Sequence, residues 1–111
     1  TGMMLNYVKS AQATVFERTM RRMGDALHNS ESVDRRRQAA SWKVYRATDP
    51  LDGGVVLFIS VFDPVVPGAD YWVPQILNKE FPTEVQALYE TYTGVFADGQ
   101  ILLNLSPIVG S

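Results

Sequence analysis

Residues 55–62 read Val55-Val56-Leu57-Phe58-Ile59-Ser60-Val61-Phe62, and this stretch decides the fold. β-Branched and aromatic residues dominate it, so it predicts a strand over Val55–Asp63. Its alternating sets are Val55, Leu57, Ile59, Val61 and Val56, Phe58, Ser60, Phe62. Both sets are apolar. A strand apolar on both sides belongs in the middle of a sheet that is covered on both faces. Asp63-Pro64 stops it, and Asp49-Pro50-Leu51-Asp52-Gly53-Gly54 before it is a strong turn.

Upstream of that turn, Met3–Lys9 is mostly apolar and reads as a first strand, with Ser10 a candidate helix cap. From Ala11 to about Asn29 the apolar residues Phe16, Met20, Met23 and Leu27 fall on one helical face. Glu31–Gln38 is charged and reads as a connection or a short exposed helix. Trp42–Ala47 is the second strand. Downstream, Pro67-Gly68-Ala69-Asp70 is a loop with Asp70 a candidate N-cap. Tyr71–Phe81 reads as a helix, with Pro74 in its first turn. Thr83–Tyr92 reads as another, with Val85, Leu88, Tyr89 and Tyr92 on one face. Thr83-x-x-Gln86 is its candidate capping box, and Gly94 its stop. Gln100–Ser106 is the fourth strand. The order is strand-helix-strand twice. It predicts a single α+β domain over residues 1–111, ferredoxin-like βαββαβ, with a four-stranded antiparallel sheet and the helices on one face.

The chain has 111 residues, a net charge of −2 and no Cys. Disulfides, thiolate metal sites and Cys nucleophiles are excluded. The single His, His28, lies near the end of the first helix, where a cation suits the helix dipole. Asp and Glu are scattered without ligand spacing, so neither a metal nor a cofactor is expected. No apolar run reaches the ~18 residues of a membrane span. The start at Thr1-Gly2-Met3 leaves the compartment open between cytoplasm and export after removal of a leader. Residues 1–48 hold nine basic and four acidic residues, and 49–111 hold one and eight. The basic first helix therefore complements the acidic second one. Arg35-Arg36-Arg37 reads either as part of that complementarity or as a patch for an anionic partner. The acidic second half, and a third strand without the basic-Gly-aromatic pattern, argue against nucleic acid.

With helices on one face, the other apolar face needs a cover. A second copy packed sheet against sheet is the simplest one. Alternation groups Asn6 with Met4 and Val8, Ser60 with Phe58 and Phe62, and Asn104 with Leu102. Met3-Leu5-Tyr7 and Ile101-Leu103-Leu105 read as the better helix-facing core, which places Asn6, Ser60 and Asn104 on the helix-free face. They form either a satisfied polar network inside a dimer or a ligand site. Trp72, Tyr71 and Tyr45 are the aromatic candidates for that site. Trp72 also fits core or interface, beside a loop from Asp63 to Asp70 that forms a pocket lip.

By this element order the chain resembles the dimeric α+β barrel superfamily, which includes antibiotic-biosynthesis-monooxygenase-like proteins. The resemblance implies a homodimer whose sheets close into a barrel, with ligands between sheet and helices. Some members are cofactor-independent oxygenases of polycyclic phenols, and others degrade haem. The enzymes often carry an Asn in the first strand, a Trp in the helix after the third strand and a His further along it. Asn6 and Trp72 stand at matching places; no His follows His28, and Lys79, Glu84, Tyr89 and Tyr92 occupy that region instead. Trp42-Lys43-Val44-Tyr45, Asp63-Pro64, Gly68-Ala69-Asp70-Tyr71, Phe81-Pro82-x-Glu84 and Leu102-Leu103-Asn104-Leu105 resemble uncharacterised bacterial members, many with an export signal. Three functions compete. The first is a homodimer binding a small apolar or aromatic molecule. The second is a cofactor-independent monooxygenase of a phenolic substrate, with Asn6 polarising an oxygen and Trp72 ordering the ring. The third is a purely structural dimer.

Overall fold

A computed structural model describes residues 1–49, 51, 53–69 and 71–110, with the backbone alone at 98 and 99. Four strands, β1 (Gly2–Lys9), β2 (Trp42–Arg46), β3 (Val55–Phe62) and β4 (Phe96–Asn104), form one antiparallel sheet in the order β2-β3-β1-β4. Four helices accompany it: α1 (Ala13–His28), α2 (Val33–Ser41), α3 (Val73–Glu80) and α4 (Val85–Gly94). The α+β class stands, and the charged stretch after α1 is a helix.

Local signals explain most boundaries. The Ser32 hydroxyl accepts a hydrogen bond from the Arg35 N–H (3.3 Å) and so starts α2. Two expected caps are absent. Ser10 lies in a 3-10 turn, where its N–H donates to the Gly54 carbonyl (2.8 Å), and α1 has no side-chain cap. The N-cap of α4 is Glu84, also without a side-chain bond, so Thr83 closes no capping box. Gly53 and Gly54 have φ of +76° and +67°, the left-handed region that favours glycine. Pro50, Asp52 and the candidate cap Asp70 lie outside the described residues.

The core lies between the sheet and the helices. Val8 and Phe58 from the sheet pack with Phe16, Met23 and Leu27 of α1, Val73, Ile76 and Leu77 of α3, and Tyr92 of α4. Phe16 and Phe58 meet with ring centroids 4.7 Å apart. Tyr89, expected on the buried face of α4, is exposed. In β1 the even residues Gly2, Met4, Asn6 and Val8 are buried, and the odd ones are half-buried. In β3, Phe58, Ser60 and Phe62 are buried, and Leu57, Ile59 and Val61 are half-buried.

This corrects the face assignment. Asn6 and Ser60 point at the helices, while Met3, Leu5 and Tyr7 lie on the bare face with Leu57, Ile59, Val61, Ile101 and Leu103. Alternation sorts residues into faces without saying which face the helices take. Here the helices take the side that carries Val8 and Phe58, which pack against Phe16 and the other helical core residues, and the Asn6 amide is enclosed with them. The bare face is left largely apolar, aliphatic apart from Tyr7, Tyr45 and Lys43. The smallest dimension of the described chain is 17 Å, two layers thick.

Candidate functional site

The three polar residues grouped by alternation do share a face, but they do not form one site. Asn6 Nδ2 donates to the carbonyl oxygens of Phe58 (3.2 Å) and Met4 (3.3 Å), and Asn6 Oδ1 accepts from Gln100 Nε2 (2.8 Å). Gln100 Nε2 also donates to Tyr92 Oη (2.5 Å). The amide thus links β3, β1, β4 and α4 in one buried strip. Burial raises the Tyr92 hydroxyl pKa far above its ordinary range, and the Gln100 bond only partly opposes it. Gln100 and Tyr92 were absent from the sequence candidates. The register Asn6↔Gln100 places the Gln on the same face, and alternation from Asn104 points to it. Asn104 itself pairs with Gly2 and is exposed, because the helices stop short of that end of β4.

Tyr45 lies on the bare face and is 52% exposed. Tyr71 stacks on Phe62 (centroids 4.4 Å), and its Oη accepts the Val66 N–H (2.8 Å). Trp72, at the N-cap of α3, is 51% exposed. The loop at 63–67 borders an open depression of about 460 Å³ with Arg37, Ala40 and Ser41, but neither Tyr71 nor Trp72 lines it. The six sequence candidates are therefore dispersed over both faces.

The sheet–helix layer instead holds a groove that the sequence reading did not single out. β2 is an edge strand, and α1 packs over β1 and β3 without covering it; Val44 is 41% exposed. A cleft of about 260 Å³ opens between Phe16, Glu17, Met20 and Arg21 of α1 and Val44 and Arg46 of β2, with Phe58 as its floor. A further hollow of about 110 Å³ shares Met20 and Val44 and runs on to Gly24, Leu27, His28, Ala39 and Trp42. Aromatic and thioether walls with a few polar groups are the usual lining of small-molecule sites.

At the mouth, Arg46 Nη1 donates to Glu17 Oε1 (3.0 Å), and the Arg46 guanidinium lies 5.7 Å from the Phe58 ring centroid. Among the described residues Arg21 has no ion-pair partner. The buried Nε1 of Trp42, which lines the further hollow, has no hydrogen-bond partner among the described residues. Nor has Ser60 Oγ, whose residue pairs with Val44 in register. A buried N–H without an acceptor is costly and rare.

Among the described residues no group of three or more His, Asp and Glu could hold a metal ion, and no helix is long and apolar enough to cross a membrane. Arg35, Arg36 and Arg37 are engaged locally: Arg35 donates to Gln38 Oε1 (2.9 Å), Arg36 to the Ser30 carbonyl (2.7 Å), and Arg37 lies 3.9 Å from Asp34. No protein-family model, curated protein or solved structure matches the chain.

Proposed function

We propose that this chain is a ferredoxin-like subunit of a homodimeric α+β barrel that binds a small apolar or aromatic molecule. The observation that carries the binding reading is the α1–β2 groove, floored by Phe58 and walled by Phe16, Met20 and Val44, with the charged Glu17, Arg21 and Arg46 at its mouth. Sheet order β2-β3-β1-β4 with a bare, largely apolar face supports the assembly. Covering that face with its own copy would remove the remaining exposed area of Leu57, Ile59, Val61, Leu5 and Leu103 from water; each is already partly buried, so each would contribute only a fraction of the ~1.5–3 kcal/mol of full burial. A cofactor-independent oxygenase has less support. It needs Asn6 to turn towards substrate, and both ends of that amide are engaged with Met4, Phe58 and Gln100.

Native mass spectrometry of the untagged protein tests the proposal. The expected species is twice the monomer mass, with a reproducible addition of a few hundred daltons that disappears on mild denaturation. A monomer would overturn the assembly. A clean dimer that no small apolar or aromatic compound loads would overturn the binding function and leave a structural dimer.

A further inference from the structure

We infer that the α1–β2 groove takes an aromatic organic anion, its charge at Arg46 and Arg21 and its ring against Phe16 and Phe58, and that Gly24 keeps the inner half of the groove open. This rests on the small-molecule reading and adds the ligand's charge, position and size limit. Charge comes first. The mouth carries two guanidiniums, Arg21 and Arg46, and one carboxylate, Glu17. Only Arg46 is paired with it, so the mouth keeps a net positive charge beside an aromatic floor. A carboxylate or phenolate fits between the two guanidiniums, where charge-assisted hydrogen bonds are the strong ones. Glu17 competes with it for Arg46.

Gly24 supplies the second, independent observation. A mid-helix glycine is a poor choice on propensity, and alanine would hold α1 better. Nothing lies within 4 Å of where a Cβ would project from Gly24, and its backbone is ordinary helix. Neither strain nor close approach requires glycine here. The free space is the groove itself, which Gly24 lines together with Trp42. A side chain at 24 would project into the hollow that Trp42 also lines. From Arg46 to Trp42 the strand covers roughly 13 Å at ~3.3 Å per residue, the length of a two-ring ligand.

Isothermal titration calorimetry with 2-naphthoate and its neutral isostere 2-naphthamide decides it. The wild type should bind naphthoate at least tenfold more tightly than naphthamide. Arg46→Met should erase that preference, and Glu17→Gln should strengthen it. Gly24→Leu should weaken both probes more than tenfold while raising the melting temperature, which separates a filled groove from a damaged fold. Equal binding of the two probes overturns the anion and leaves small-molecule binding standing. Naphthoate binding that Gly24→Leu does not weaken places the ligand elsewhere and overturns the inference. Failure of both probes overturns it too; if native spectra then show no adduct, the binding function falls with it.

Discussion

Tyr92 shows how one buried hydroxyl links stability to pH. Its phenol lies in the core beside Phe16 and Phe96, with Gln100 as its hydrogen-bond donor. Removal from water disfavours the phenolate, so the folded chain holds this proton well beyond the ordinary tyrosine range. The unfolded chain releases it near pH 10. Stability from this group is therefore complete below about pH 10 and is lost as pH rises towards the folded value, because unfolding then releases a proton. Urea melts at pH 7 and pH 11 should show a large loss for the wild type and a smaller one for Tyr92→Phe. At pH 7 the variant should cost about 1 kcal/mol, since a Gln100 N–H loses one acceptor. An identical alkaline loss in both proteins would assign it to other groups.

At the scale of elements, charge complementarity is real but weak. The basic α1 meets the segment leading into α4 where the Arg22 guanidinium pairs with Glu84 and lies 4.4 Å from the Phe81 ring centroid. The two side chains are 43% and 49% exposed, so solvent and salt screen the ion pair. Glu84→Gln should lower stability by less than ~1 kcal/mol, and the loss should vanish in 1 M salt. Arg22→Ala should cost more, and its excess should survive the salt, because it also removes the stem and the contact over Phe81. Equal, fully salt-sensitive losses would show that the ring contact contributes nothing. Apolar packing of α1 comes instead from Phe16 and Met23, which share one core cluster with Ile76 and Leu77 of α3 and Tyr92 of α4.

For the whole molecule, the two faces of the sheet have different tasks. One is closed by helices and tied across three strands by Asn6 and Gln100; the other is open and largely apolar. Ile59 stands opposite Leu5 and Tyr45 on that open face. If the open face is the interface of the proposed dimer, Ile59→Glu should leave only monomer in native mass spectra with unchanged far-UV circular dichroism, since Ile59 lies outside the buried core of the subunit. A dimer that survives this change would place the interface elsewhere.

The α+β class and the strand at 55–62 are legible in the sequence, because hydrophobic periodicity and turn residues act over a few neighbouring positions. The grouping of Asn6 with Ser60 was legible for the same reason: strand alternation is a local rule. Which face the helices cover was not. With both sets of β3 apolar, that choice depends on long-range packing such as Phe58 against Phe16 of α1, and the network beside it joins residues as distant as Asn6 and Gln100. The groove was hidden for a related reason. It exists because α1 leaves the edge strand uncovered, so its walls come from residues 16 to 58 and no local pattern joins them. Gly24 was its one trace in the sequence, a glycine inside an amphipathic helix, and its meaning depends on the empty space beside it. Local physics set the elements; long-range packing set the face, the network and the site.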